Sequence, residues 1–268
     1  MQHLRRPFFL IVLAAVALAV GCSSQIPPPD NALEEPEFLR GAIDARIAHI
    51  EDARFHDVTM EYFGDGDRVR LRQLIVVRQP DRLRVQTRLP GSDEIMSLLV
   101  SDGQTFALHE RDQNKYYTGP PSRENINRLL PLDLSGQDVV RVMLGAAPWD
   151  RFDAEGGQPT LEWHGDRGLY RYGVERVDGS RLDIYVRHND FAVVELRETD
   201  ADGEMVYAYT TDGWNDAGPL VVPSFQRFQW PERDLDLSIA VGYWEFNVDL
   251  PGHLFEFPPP PGSQIIEL

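Results

Sequence analysis

Alternation of apolar and polar residues dominates the chain from Ala53 onward and predicts β structure. The segment RLRVQTRL is the clearest case, because Leu83, Val85, Thr87 and Leu89 share one face while arginines and a glutamine occupy the other. A period of two is typical of strands with one buried and one solvated face. Asp-Gly and Gly-Asp pairs separate several of the alternating segments and favour tight hairpin turns. We therefore predict a meander of roughly eleven to thirteen antiparallel strands.

Apolar residues at helical spacing precede the strands. Leu39, Ile43, Ile47 and Ile50 form one stripe of a helix that we expect over residues 35–52. Because charged residues fill the other side, the helix should pack on the sheet through this stripe.

Two shorter helices are expected in the middle of the chain, at 122–130 and 135–145. Ser122 is a suitable N-cap for the first, and either Asp133 or Ser135 for the second, because short side-chain oxygens accept the free N–H groups of a helix start. Both segments have enough apolar residues to lie across a sheet.

These elements predict a mainly β protein in which residues 35–268 form one domain. Open sheets of more than about ten strands tend to curl. We therefore expect a single curled antiparallel sheet, a half-open β-barrel, with an N-terminal helix and two inserted lid helices over its concave apolar face.

The first 21 residues have the pattern of a targeting segment. Two arginines precede an uncharged run, residues 8–20, which is shorter than the ~20 residues of a membrane span but suits a signal peptide. The segment ends at Gly21, and Cys22 is the only cysteine of the chain. This ending resembles the lipobox of bacterial lipoproteins. The alternative is an ordinary secretory signal beside a chance cysteine.

The lipobox resemblance implies cleavage after Gly21 and acylation of Cys22 with palmitate-type chains. Several acyl chains hold a protein firmly on a bilayer, whereas one chain is marginal. Ser23 follows Cys22, and in the sorting rule of enteric bacteria a residue other than Asp favours the outer membrane. We therefore expect residues 22–34 to be a lipidated tether and the body to face the periplasm.

Charge and composition narrow the classes of partner. The sequence has 43 acidic and 26 basic side chains, with a net charge of -17. Because nucleic acids require clustered Arg and Lys, we expect no nucleic-acid partner. A hydrophobic fraction of 42% is sufficient for a folded core, and a single cysteine excludes an internal disulfide.

Motifs of enzyme chemistry are missing from the sequence. The seven histidines have no metal-ligand spacing, and GxSxG, Walker and GxGxxG motifs do not occur. Two acidic segments, 64–67 and 200–204, loosely resemble calcium loops, but they lack the downstream ligands of an EF-hand and hairpin turns use the same residues. We expect a protein that is not an enzyme and has no cofactor or metal.

One part of the chain resembles a known family. Residues 80–108 read PDRLRVQTRLPGSDEIMSLLVSDGQTFAL, and a later segment contains Leu130-Pro131-Leu132 followed by Gly145. This order of strand, short turn, apolar strand and helical segment is similar to the LolA/LolB superfamily of periplasmic and outer-membrane lipoprotein carriers. The similarity covers about residues 55–150.

The resemblance implies a receptor of the LolB type at the outer membrane. Its half-open barrel would hold acyl chains of lipoproteins or lipids, and a periplasmic LolA-like carrier would be a partner. Family members have a leucine on a protruding hairpin that aids insertion into the membrane. Leu89 lies nearest to that position, although the order here is Leu-Pro-Gly and not Pro-Leu-Gly; alternatively, Leu89 is the last buried residue of its strand.

Alternation within the predicted strands and lid then gives a set of expected cavity residues. These are Met60, Leu83, Val85, Met96, Leu98, Phe106, Leu108 and Met143.

Two other functions are compatible with the sequence. One is a structural or scaffolding envelope lipoprotein that binds a protein partner through its acidic surface. The other is an envelope hydrolase with dispersed catalytic residues. A dry pocket on the order of several hundred Å³ would favour lipid binding, whereas a sheet filled by its own side chains would favour scaffolding.

Overall fold

A computed structural model describes residues 25–64, 66–89, 91–92, 94–130, 132–154 and 156–268. The predicted signal peptide, its cleavage position Gly21 and the lipidation position Cys22 lie outside these residues. Within the described part of the chain, no helix is both long and apolar enough to cross a bilayer.

Fifteen strands of the described residues form one curled, open sheet. The first six are β1 (Asp52–Gly64), β2 (Asp67–Arg78), β3 (Arg82–Arg88), β4 (Ile95–Ser101), β5 (Phe106–Glu110) and β6 (Lys115–Gly119). The others are β7 (Pro159–His164), β8 (Leu169–Glu175), β9 (Arg181–Arg187), β10 (Val193–Thr199), β11 (Met205–Asp216), β12 (Val221–Trp230), β13 (Leu235–Ala240), β14 (Tyr243–Phe246) and β15 (Gln264–Glu267).

The strand order shows two meanders that join in the middle of the sheet. From edge to edge it is β15-β6-β5-β4-β3-β2-β1-β13-β12-β11-β10-β9-β8-β7, and β14 continues β13 along β1. Pairs such as Met60 with Ile239 therefore join the two halves of the chain. β15 pairs with β6 in parallel orientation, so the prediction of a wholly antiparallel sheet is wrong at this edge.

A bulge in β1 explains why the facing strand is divided into β13 and β14. The pairing of β1 with β2 shifts between Phe55 and Val58, and Asp57 has a φ of 50°. Gly242 lies opposite the bulge, where its N–H donates to the carbonyl oxygen of His56 at 3.1 Å. A Cβ atom at Gly242 would lie 2.8 Å from Cβ of Asp57, so only glycine fits without a shift.

Four helices accompany the sheet in the described residues: α1 (Pro36–Ile47), α2 (Arg123–Leu129), α3 (Gly136–Met143) and α4 (Trp149–Asp153). The hydroxyl of Ser122 accepts the N–H of Asn125, which confirms the first predicted N-cap. Of the two candidates for the second N-cap it is Ser135, not Asp133, that accepts the N–H of Asp138. Helix α4 was not predicted, since five residues are too short to show a helical period.

Apolar side chains are buried on both faces of the sheet. On the concave face, α1, α3 and α4 contribute to the main core. On the convex face, a smaller cluster forms beneath residues 247–257, which we call the C-terminal strap. The strap contributes Leu250 and Phe255, which pack with Val76 and Val100 of the sheet.

The described part of the predicted tether lies against the hairpin between β7 and β8. The N–H of Ile26 donates to the carbonyl oxygen of Gly165 at 2.9 Å, and Trp163 Nε1 donates to the carbonyl oxygen of Ile26 at 2.8 Å. The N–H of Leu33 donates to the hydroxyl of Tyr170 at 2.9 Å. The tether therefore reaches the body at one edge of the sheet.

Candidate functional site

A narrow pocket of about 110 Å³ lies between the concave face of the sheet and the helical segment above it. Its floor consists of side chains from β1 to β5 together with β12 and β13. Its roof consists of side chains from α3 and from the connection between α2 and α3. The inserted helices therefore cover the concave face in the way that a lid would.

Five of the eight expected cavity residues line this pocket. They are Met60, Leu83, Val85, Leu108 and Met143. Two of them are methionines, whose unbranched side chains adapt to irregular contents more readily than branched ones.

Leu98 lies on the other face of the sheet and Met96 does not line the pocket, so the assignment of both residues to the cavity is wrong. In the pairing of β3 with β4, Val85 faces Leu99 and Gln86 faces Leu98. Directly paired residues share a face, which places Leu99 in the pocket and Leu98 in the cluster under the strap. Strand β4 is apolar on both faces, and alternation alone therefore chose the wrong one.

Phe106 belongs to the main core but not to the pocket wall. Its side chain is fully buried, and it pairs with Ser101 on the concave side. Leu108, two residues on, is the residue of β5 that reaches the pocket. The expected cavity position of Phe106 is therefore corrected to a core position beside the pocket.

Leu89 follows the end of β3 and is 50% exposed. It is not a fully buried last residue of its strand. Leu89 follows the end of β3, whereas the hairpin that binds the tether precedes β8.

Several pocket residues were missed because their position depends on long-range pairing. Phe228 and Leu237 come from the second meander and reach the pocket only because β13 pairs with β1. Leu132 and Leu134 come from the connection between α2 and α3. Leu132 belongs to the Leu130-Pro131-Leu132 segment of the family resemblance, whereas Leu134 had no local signal beyond its alternation with Asp133.

Charged side chains are absent from the described pocket lining. Its polar side chains are Gln73, Thr87 and Ser97, together with the tyrosine hydroxyl of Tyr62. Gln73 pairs with Thr87, and Thr87 pairs with Ser97, so these three form one row across β2, β3 and β4. Gln73 Nε2 donates to Thr87 Oγ1 at 3.3 Å.

A buried arginine fastens the lid connection to the sheet. Arg151 of α4 is 2% exposed, and its Nη1 contacts the carboxylate of Asp133 at 2.9 Å and the carbonyl oxygen of the same residue at 3.2 Å. Its Nη2 contacts the carboxylate of Glu198 on β10, which also accepts from Arg176 at 2.6 Å. Because Asp133 lies between two pocket residues, this contact holds the roof of the pocket in place.

Helix α1 also holds the lid, through residues of its polar side. Asp44 accepts from Trp149 Nε1 at 2.8 Å and forms an ion pair with Arg141 of α3. Arg46 Nη1 donates to the carbonyl oxygen of Leu144 at 2.7 Å. The polar residues of this helix are therefore contacts to the lid, while its apolar stripe packs in the core.

One carboxyl group under the lid has an altered acidity. Burial, and secondarily the nearby Asp150, raise the pKa of Asp138 to about 7. The N–H groups of Asp150 and Arg151 donate to this carboxyl at 3.2 and 3.0 Å and partly oppose the increase. Asp138 is thus a buried acid that titrates near neutral pH at the base of α3.

Carboxylates and histidines of the described residues do not come together in any group of three that could hold a metal ion. The acidic turn at 200–204 is used as a hairpin turn, where Asp200 Oδ1 accepts the N–H groups of Asp202 and Glu204 at 3.0 and 2.9 Å.

Comparison with solved structures identifies similar folds at low sequence identity. A DUF1329 family protein from Desulfovibrio piger is similar with a TM-score of 0.61 and 12% identity, over 84% of this chain and 98% of that one. A LolA superfamily protein from Nitrosomonas europaea has a TM-score of 0.58 and 11% identity, over 84% and 99% of the two chains. A domain named for outer membrane lipoprotein sorting, from Vibrio parahaemolyticus, has a TM-score of 0.58 and 9% identity, over 82% and 97%.

The protein has a LolA-like fold. No protein-family model matches the sequence, and no curated protein matches it. The likeness therefore concerns the LolA-like arrangement of a curled sheet, an N-terminal helix and inserted helices. The expected curled sheet with an N-terminal helix and inserted helices is confirmed, apart from the parallel pairing of β15 with β6 and a strand number of fifteen in the described residues.

Proposed function

We propose that the protein is a lipid-anchored receptor of the outer membrane that binds acyl chains of lipoproteins or lipids beneath its lid. The observation that carries this proposal is an uncharged, mainly apolar pocket between a curled sheet and a helical cover. Acyl chains enter such a site because their transfer from water to an apolar surface is favourable and needs no catalytic group. The role is that of a binding protein and not of an enzyme.

The small volume of the pocket implies that the lid moves when a chain enters. Pockets for small-molecule ligands usually measure roughly 300–1,000 Å³, whereas this one measures about 110 Å³. Because Leu132 and Leu134 form part of the roof, displacement of the lid connection would enlarge the space. Such a movement has to break the contact between Asp133 and Arg151.

The similar folds support a place in lipoprotein sorting. The Nitrosomonas protein belongs to the LolA superfamily, and the Vibrio domain is named for outer membrane lipoprotein sorting. Within that role we assign this chain to the receiving, LolB-like side, because its sequence has the features of a lipidated anchor. A soluble LolA-like carrier in the periplasm would deliver the cargo.

Cys22 is the proposed attachment point to the outer membrane. Only three residues separate it from Ile26, which is hydrogen-bonded to the body. Four steps of extended chain span about 14 Å at ~3.3–3.6 Å each, so an anchor at this position would keep the body close to the bilayer. We expect labelling of the wild type with radioactive palmitate and loss of the label in Cys22→Ala, together with release from the outer membrane. An unlabelled wild type would contradict the anchor.

Native mass spectrometry tests ligand binding directly. The full chain carrying Cys22→Ala, purified from the periplasmic fraction into which it is released, should retain one or more acyl-containing molecules whose mass is lost after delipidation. A protein that contains no lipid and does not bind a fluorescent acyl probe would contradict the proposal.

A second candidate function is that of a scaffolding lipoprotein. It is favoured by the same small volume, since the described side chains fill most of the concave face. In that case the acidic surface would bind a protein partner and the lid would remain fixed. The absence of any acyl ligand, combined with an unchanged lid in hydrogen exchange, would select this alternative.

A further inference from the structure

The polar row of Gln73, Thr87 and Ser97 is the feature of the pocket that hydrocarbon binding does not explain. These residues lie side by side on three neighbouring strands and face the pocket. Thr87 is nearly buried, at 6% exposure. A buried polar group has a free-energy cost unless it is hydrogen-bonded, so a purely hydrocarbon ligand would leave this row poorly matched.

We infer that this row binds the carbonyl group of an ester- or amide-linked acyl chain and thereby fixes the direction of the chain in the pocket. The inference rests on the proposed function and adds to it the chemical class of the ligand.

Hydrogen-bond roles in the row fit a neutral acceptor. Thr87 Oγ1 accepts from Gln73 Nε2, which leaves the hydroxyl hydrogen of Thr87 available to donate. The other contact of the Gln73 amide is with Met60 Sδ at 3.5 Å, and thioether sulfur is only a weak acceptor. A carbonyl oxygen placed over the row would be a better acceptor for these N–H and O–H groups.

The absence of charge from the described pocket lining selects against ionised ligands. A buried carboxylate or phosphate requires a cationic partner, and the lining includes neither Arg nor Lys. Esters and amides of fatty acids are neutral and carry the acceptor that the row can bind. Free fatty acids and phosphate groups should therefore bind less well at this position.

The same arrangement gives the direction of the hydrocarbon tail. Val85 precedes Thr87 by two residues on the same face of β3 and pairs with Leu99. Leu83 precedes Val85 by two residues on that face. From Thr87 to Leu83 the strand spans about 13 Å at ~3.3 Å per residue. The tail should extend along these apolar side chains, with the carbonyl group at the end of β3 nearer to Leu89.

A paired substitution separates recognition of the carbonyl from binding of the tail. Gln73→Leu with Thr87→Val replaces both polar partners with apolar groups of similar shape, a change that is nearly neutral for stability. The probes are a pyrene-labelled monoacylglycerol, a pyrene-labelled fatty acid and a pyrene-labelled alkane of equal chain length. Each is titrated into the full chain carrying Cys22→Ala, and urea unfolding establishes that every variant is folded.

The chain with an unchanged polar row should bind the monoacylglycerol more tightly than the fatty acid or the alkane. The paired substitution should weaken monoacylglycerol binding about tenfold and leave alkane binding unchanged or tighter. Ser97→Ala should weaken monoacylglycerol binding about threefold. Gln86→Leu, which removes an amide from the opposite face of β3, is the matched control and should change nothing.

The outcomes distinguish the two proposals. If the wild type binds the alkane and the monoacylglycerol equally, or if the paired substitution weakens both equally, the row does not recognise a carbonyl although acyl binding stands. If the wild type binds none of the three probes, the proposed function fails and this inference fails with it.

Discussion

Strand β4 shows how differently the two faces of this sheet are built. On the concave face, Leu99 lies beneath a lid that the chain inserts between β6 and β7. On the convex face, the neighbouring Leu98 lies beneath the C-terminal strap, a segment some 150 residues later in the chain. Both faces are apolar at this strand, and the concave face lines the pocket beneath the lid.

The covers of the two faces also differ in their contacts. The lid buries apolar side chains in the main core and is also fastened by charged side chains, including Arg151, Asp133 and Asp44. The strap is held by apolar packing of Leu250 and Phe255, with arginine side chains donating to its carbonyl oxygens. Opening of the lid would break these ion pairs and also expose its apolar side chains to water, unless a ligand covered them. The two covers thus differ in their polar contacts, while both bury apolar area.

Removal of the buried Arg151 should have the largest effect on how firmly the lid is held to the sheet. Arg151→Met removes the buried cation that contacts Asp133 and Glu198. Because Glu198 keeps Arg176 and Asp133 is partly exposed, we expect a loss of about 3 kcal/mol, the low end for a broken buried ion pair. Urea unfolding should show this decrease, and hydrogen exchange should be faster in α3. The control is Arg40→Met, which breaks the more exposed pair with Asp153 and should cost about 0.2–1 kcal/mol. Equal losses for the two variants would mean that Arg151 has no special role at the lid.

Truncation of the two adjacent leucines tests the assignment of the faces. Leu99→Ala should destabilise the protein by about 2–5 kcal/mol and weaken acyl-probe binding about threefold, because it removes apolar contact area from the pocket. Leu98→Ala, at a half-buried position, should cost about 1 kcal/mol and leave binding within twofold of the wild type. Weaker probe binding in Leu98→Ala alone would return Leu98 to the cavity.

Stability on the lid side should depend on pH through Asp138. Its pKa is about 7 in the folded protein and 3.8 as its ordinary value, so the folded state binds more protons than the unfolded state between these pH values. The stabilising contribution of the protonated group is therefore present below about pH 4 and is lost as the pH rises towards 7. Asp138→Asn should reduce the fall in unfolding free energy between pH 4.5 and 7, at a cost of about 1 kcal/mol for a lost hydrogen bond.

The matched control for this experiment is Asp202→Asn, at an exposed hairpin turn. Its pH profile should follow that of the wild type. Identical pH slopes for Asp138→Asn and the wild type would show that Asp138 does not contribute.

Leu89 should affect the transfer of cargo to membranes without affecting the packing of either face of the sheet. As a half-exposed residue beyond β3, it contributes little to the core, so Leu89→Glu should leave the unfolding free energy and probe affinity unchanged. Stopped-flow transfer of a fluorescent lipidated peptide to liposomes should slow about tenfold, because an apolar side chain contributes roughly 1.5–3 kcal/mol when it is buried in an apolar interface. Equal transfer rates would remove the Leu89 turn from the mechanism.

Local patterns were sufficient for most of the secondary structure. Alternation identified β3 and the hairpins around it, and helical spacing identified α1 through Leu39, Ile43 and Ile47, all of which are buried. The N-caps at Ser122 and Ser135 could be proposed from the sequence, because a serine just before an apolar helix commonly accepts a free N–H group of the helix start. The candidate site was predictable where one face of a strand is apolar, as for Leu83 and Val85.

The sequence by itself thus determined a curled β-sheet with a helical cover, since periodicity and turn residues act over a few positions. Tertiary structure decided which apolar face of β4 forms the pocket, because the strap that covers Leu98 comes from the other end of the chain. It also brought Phe228 and Leu237 to the pocket through the pairing of β1 with β13, and it aligned Gln73 with Thr87 and Ser97. A local pattern states that a side chain prefers burial, but the partner that buries it is set by contacts between distant segments.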